Sequence, residues 1–123
     1  MLKLTSPSIL IRIENLSLAL FGLYIYSLSG LSWTLFFIFI LAPDLSMLGY
    51  LINPKVGAVS YNVVHNYATA AVIFALAGVW IFTPAETYIS LSLILAIHVA
   101  FDRALGLGLK YPDAFKPTHL QKI

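Results

Sequence analysis

Four apolar stretches, at about residues 9–28, 33–51, 58–82 and 86–105, take up most of the 123-residue chain. Each is close to the roughly 20 residues that a helix needs to cross a bilayer. Inside hydrocarbon every backbone N–H and C=O must be paired within the protein, which leaves helices or closed barrels. The stretches are continuous apolar runs without strand-like alternation, so they predict helices. Only 10% of the residues are charged and 60% are hydrophobic, with a mean hydropathy of +0.91, too few charges to coat a soluble globule of this size. The expected architecture is all-α: a four-helix transmembrane bundle forming a single four-span membrane domain over residues 1–123, with the lipid bilayer as its first partner and a tail at 106–123.

The connections support four crossings. Ser29-Gly30-Leu31-Ser32 and Thr83-Pro84-Ala85-Glu86 read as tight turns, and Ile52-Asn53-Pro54-Lys55-Val56-Gly57 as a turn-rich connector. Trp33 stands where an interfacial aromatic belongs. The first stretch reads as a span and not a cleavable leader, because Glu14 interrupts the lead-in and Tyr24 and Tyr26 crowd the would-be cleavage region. With four spans both termini lie on one side. Lys3, Arg12, Lys55, Arg103, Lys110, Lys116 and Lys122 all fall on that side, and the other two turns carry no Lys or Arg. The positive-inside rule then predicts cytoplasmic termini in a multi-pass protein of the bacterial inner membrane.

The same topology gathers the polar residues. His98 and Asp102 are four positions apart, about 40° around a helix, and follow residues 89–97, which carry no charged or imidazole side chain. An imidazole and a carboxylate there are costly unless paired, metal-bound or wet, which marks a functional position. Glu14, Asp44, Asn62 and His65 fall in the same expected cytoplasmic half, and the outer half holds nothing more polar than Tyr, Ser, Thr and Trp. Asp44, His65, His98 and Asp102 form an imidazole-plus-carboxylate set that zinc, manganese or iron accept in helical bundles. His65, His98 and Asp102 are the candidate acid/base groups, because a buried His–Asp pair can also move protons to and from an embedded substrate without a metal. A structural alternative pairs Asp44 or Asp102 with Arg12 or Arg103 and uses the histidines as hydrogen-bonded struts. Arg103, about 140° from His98, points toward headgroups or a neighbouring carboxylate.

Several function classes drop out. There is no cysteine, hence no thiol nucleophile, thiolate ligand or disulfide. The net charge of +2 comes from scattered basic residues, with no electrostatic footprint for nucleic acid. Three readings remain open: a metal-dependent or acid/base enzyme acting on a lipid-soluble small molecule, a small ion or proton-coupled transporter, and a non-enzymatic membrane interaction protein. A homo-oligomer is compatible with each. In the tail, Phe115 and His119 are spaced i,i+4, which suggests a segment folding back over the cytoplasmic opening with His119 as a lid or ligand.

Four blocks carry a family resemblance. They are Pro43-Asp44-Leu45-Ser46-Met47-Leu48-Gly49-Tyr50, Gly57-Ala58 with Tyr61-Asn62-x-x-His65-x-Tyr67, His98-x-x-x-Asp102-Arg103 running on to Tyr111, and Phe115-Lys116-x-Thr118-His119-Leu120. Together they resemble the small bacterial integral-membrane proteins grouped as domain of unknown function 4260. The resemblance implies a four-span fold with Asp44, Asn62, His65, His98, Asp102 and the Thr118-His119 tail as signature residues, and it implies no activity. The Pro-Asp block with paired histidines is also similar to small membrane-bound metal-dependent hydrolases, but the second aspartate of their Pro-Asp-x-Asp pattern is Ser46 here.

Overall fold

A computed structural model describes residues 6–78 and 84–108, and every regular element in them is helical. Helix α1 (Pro7–Leu28) starts where Ser6 accepts a hydrogen bond from the Ile9 N–H (3.3 Å) and Pro7 takes a first-turn position. It ends at Ser29, where Gly30 takes a positive φ of 73° to turn the chain. Ser32 then caps α2 (Trp33–Phe39), accepting from Leu35 N–H at 3.1 Å. The turn is clamped from α1 by the Tyr26 hydroxyl, which donates to the Ser32 carbonyl (2.5 Å). Tyr26 also packs edge-on against Trp33 and lies near Phe36, so Trp33 is part of an aromatic cluster as well as an end-of-span residue.

The second expected span changes type midway. After α2 the chain continues as a 3-10 helix, Ala42–Leu51, with Pro43 in its first turn. Proline has no N–H to donate, and its ring clashes with the carbonyl four residues earlier, here that of Phe39. The tighter helix begins where the α-helix cannot continue. It packs antiparallel to α3 (Pro54–Val64) at very short range: a Cβ added at Gly57 would lie 2.2 Å from the Tyr50 ring, and one at Gly49 would lie 2.3 Å from Ser60 Oγ. Both positions need glycine for this approach.

The third expected span also differs. Its described part is two helices, α3 and α4 (Tyr67–Leu76), broken at His65 and Asn66. Asn66 makes the break: its side-chain amide donates to the carbonyls of Asn62 (2.6 Å) and Val63 (2.9 Å), and its Oδ1 accepts from Thr69 N–H (2.9 Å). One side chain thus satisfies the end of α3 and the start of α4. Helix α3 also begins at Pro54, capped by Asn53 (2.8 Å to Val56 N–H), so most of the expected connector at 52–57 is helical.

Helix α5 (Ala85–Ala104) is the axis on which the rest is assembled. It holds eight buried residues, Ser90, Ser92 and His98 among them, whereas α1 holds three. Helix α1 runs antiparallel to it, with Arg12 donating to the Ala104 carbonyl (3.0 Å) and Gly22 against Ile97. Helix α4 is antiparallel too, through Ala70, Leu95 and Val99 and with Tyr67 beneath Arg103. Among the described residues three segments are long and apolar enough to cross a membrane: Pro7–Leu28, Trp33–Leu51 and Ala85–Ala104.

Candidate functional site

The two interruptions of helical geometry bring the polar residues together. Asp44 lies in the first turn of the 3-10 helix, His65 at the break between α3 and α4, and His98 and Asp102 one turn apart near the end of α5. His98 Nε2 is 3.1 Å from Asp44 Oδ1 and 3.2 Å from Asp102 Oδ2; His65 Nε2 is 3.2 and 3.7 Å from the same two atoms. One donor atom from each residue lies within 4.8 Å of all the others, and such a group could hold a metal ion. The histidine side chains are 3% and 6% exposed, Asp102 is 19% and Asp44 38%, so the site opens at Asp44.

The other nitrogen of each ring is fixed by main chain. His98 Nδ1 donates to the Ile40 carbonyl at the end of α2 (2.6 Å) and His65 Nδ1 to the Tyr61 carbonyl (3.0 Å); a carbonyl only accepts, so both Nδ1 atoms carry hydrogen. This leaves both Nε2 atoms aimed at the carboxylates. The Tyr61 ring stacks on His65 with centroids 3.7 Å apart and an interplanar angle of 8°, and the two imidazoles meet edge to face at 5.1 Å. Ser46, the position of the missing aspartate in the hydrolase pattern, donates to the Pro43 carbonyl (2.7 Å) with its oxygen 3.4 Å from His65 Nδ1.

The geometry suits a cation. Metal–ligand bonds of about 2.0–2.2 Å in a tetrahedral site separate neighbouring donors by about 3.3–3.6 Å, against the 3.1–3.7 Å between imidazoles and carboxylates here. Each Nε2 carries at most one proton yet faces two carboxylate oxygens, so protons serve these contacts only by being shared between acceptors, whereas a cation meets all four donors at once. Imidazoles that donate their remote N–H to a backbone carbonyl are the usual arrangement around a metal, because that bond sets the tautomer and ring orientation.

The other expected residues are not among these four donors. Glu14 is on an exposed face of α1 and is not one of the four converging groups. Asn62 supplies its main-chain carbonyl to the Asn66 amide. Among the described residues neither arginine pairs with a carboxylate, contrary to the structural alternative: Arg12 holds the Ala104 carbonyl, and the Arg103 guanidinium lies 4.9 Å from the centre of the Tyr67 ring. His119 and the tail lie outside the described residues. Asn15 was not singled out from sequence, yet it is buried, donates to the Ile11 carbonyl (2.7 Å) and accepts the Tyr67 hydroxyl, tying α1 to α4. An amide within an otherwise apolar run was the available signal.

No curated protein and no solved structure matches the chain. The model of the family described as domain of unknown function (DUF4260) matches residues 8–123, and the chain belongs to that family.

Proposed function

We propose that this chain is an integral membrane protein that binds one divalent zinc, manganese or iron ion at Asp44, His65, His98 and Asp102 and uses the site for hydrolytic chemistry on a lipid-soluble substrate. One observation carries the reading: two imidazole Nε2 atoms and two carboxylate oxygens converge at 3.1–3.7 Å, with both remote ring nitrogens committed to backbone carbonyls. An ion in such a site polarises a substrate carbonyl and makes water acidic enough to act as a nucleophile near neutral pH. The residues divide that work by exposure. His65, His98 and Asp102, the deeper donors, would hold the ion, and Asp44, the most exposed of the four, would be placed to accept the proton of an attacking water.

Placement in the cytoplasmic half of the inner membrane, with cytoplasmic termini, follows from the one-sided distribution of Lys and Arg. Ion or proton transport fits less well, because residues 18–28, 33–40 and 89–97 carry no acid, Lys, Arg or His to continue a path beyond the site. A purely structural cluster fits less well, because each Nε2 proton would have to be shared between two carboxylates. Elemental analysis of detergent-purified protein tests the reading. One ion per chain is expected, lost with His98→Ala; a chain that stays metal-free after loading with zinc, manganese and iron refutes it.

A further inference from the structure

Beside the donor set lies an apolar cavity of about 240 Å³ between the α2/3-10 junction, α4 and α5. Phe39, Pro43, Val64, Ile73, Leu91 and Ile94 contribute to its wall. Three of them adjoin donors: Pro43 precedes Asp44, Val64 precedes His65, and Ile94 is one turn before His98 on the same face of α5. The cavity has a structural cause. It opens where the α-helix gives way to the narrower 3-10 helix, beside the interruption at His65 and Asn66. Its volume is below the ~300–1,000 Å³ of sites that enclose a drug-sized molecule, which leaves room for one hydrocarbon chain.

Resting on the metal-site reading above, we infer that this cavity receives the tail of the substrate, and that the site acts on single-chain amphiphiles whose carbonyl or acid head group reaches the Asp44, His65, His98 and Asp102 donors. The wall residues are all apolar, so a tail there meets no polar side chain, and the adjacency of Pro43, Val64 and Ile94 to the donors puts the head near the only titratable cluster among the described residues. The occupant is therefore an amphiphile with a chain at one end and a metal-seeking oxygen at the other.

The test uses the full-length, metal-loaded protein in nanodiscs with two hydroxamates as probes: acetohydroxamate, which has only the head, and octanohydroxamate carrying a diazirine at the tail end. Both are expected to bind, and light should attach the long probe to Phe39, Ile73 or Leu91. Filling the cavity with Ile73→Trp, or with Leu91→Trp from the facing helix, is expected to weaken the long probe more than about tenfold, since excluding two methylenes already forfeits that much. The short probe and the metal content should not change. Attachment instead at Phe21 or Ile25, in the wider apolar groove of about 460 Å³ between α1 and α5, overturns the inference. So does attachment spread over lipid-exposed residues, or long-probe binding that ignores both tryptophans. Failure of acetohydroxamate to bind overturns the metal-site reading as well.

Discussion

His98→Ala should separate a metal site from a structural cluster by what it does with and without metal. In metal-free protein the change removes the Nδ1 donation to the Ile40 carbonyl (2.6 Å) and the Nε2 contacts to Asp44 and Asp102. Hydrogen bonds between membrane helices average about 0.6 kcal/mol and reach about 1.7, so two such losses amount to about 1–3 kcal/mol. The vacated space adjoins the half-open Asp44 side, where water can enter and soften the loss. Metal at a hundred times its Kd adds about 2.7 kcal/mol to the parent, and a variant short of one donor gains little of this at the same metal concentration. The gap between parent and variant should therefore widen from about 1–3 to about 4–6 kcal/mol on metal addition. Reversible unfolding in mixed micelles, with and without chelator, measures both gaps. If they are equal, His98 is a strut and the metal reading fails.

Four further outcomes are expected. Asn66→Ala should cost about 0.5–2 kcal/mol as a lost cap, and metal affinity measured by competition with a chelating dye should drop with it, because the break it makes positions His65; unchanged affinity would separate the break from the site. Gly57→Ala should destabilise by about 1–3 kcal/mol through overpacking, as its Cβ would meet the Tyr50 ring at 2.2 Å; a neutral result in thermal unfolding would mean the 3-10 helix yields easily. Tyr67→Phe removes the hydroxyl that donates to Asn15 and should lower stability by roughly 0.6–1.7 kcal/mol without altering metal content. A reporter fused to the C-terminus should be active in the cytoplasm, and periplasmic activity would invert the placement of the site.

Hydropathy made the long apolar segments legible, because a predominantly apolar run near 20 residues has few other solutions. It could not show where those segments break. The stretch 58–82 looks continuous to any averaged scale, yet Asn66 outcompetes the helix locally by bonding two carbonyls at the end of α3 and the Thr69 amide in the first turn of α4. Pro43 was visible as a bend, but a change to ten residues of 3-10 helix depends on packing against Gly57 and Ser60, which sequence spacing does not encode. The four donors were legible individually as ionisable or imidazole groups in apolar surroundings. Their gathering into one set also followed from the alternating spans, but the route by which they meet did not, since it has His65 leaving the helix and Asp44 turning toward α5.

Inside the apolar stretches helical regularity fails at Pro43 and at His65–Asn66, and α5 ends at Gly106, with a positive φ of 89°, one turn beyond Asp102. These failures lie at or within about a turn of the four donors, whereas α1 and the first half of α5 run unbroken with only Glu86, in the opening turn of α5, and Arg12 and Glu14 near the start of α1 as charged residues. Backbone that leaves the helix inside a membrane is tolerated only where protein or a cavity receives its polar groups. Here side chains receive them: Asn66 takes the loose ends of α3 and α4, His98 takes the Ile40 carbonyl that ends α2, and Ser46 bonds the Pro43 carbonyl while meeting His65. The interruptions and the donor set therefore depend on one another. An imidazole removed from the site leaves a helix end without its partner, and a helix restored to regularity turns a donor away, so metal affinity and local backbone order should fall together in variants at Asn66 and His98.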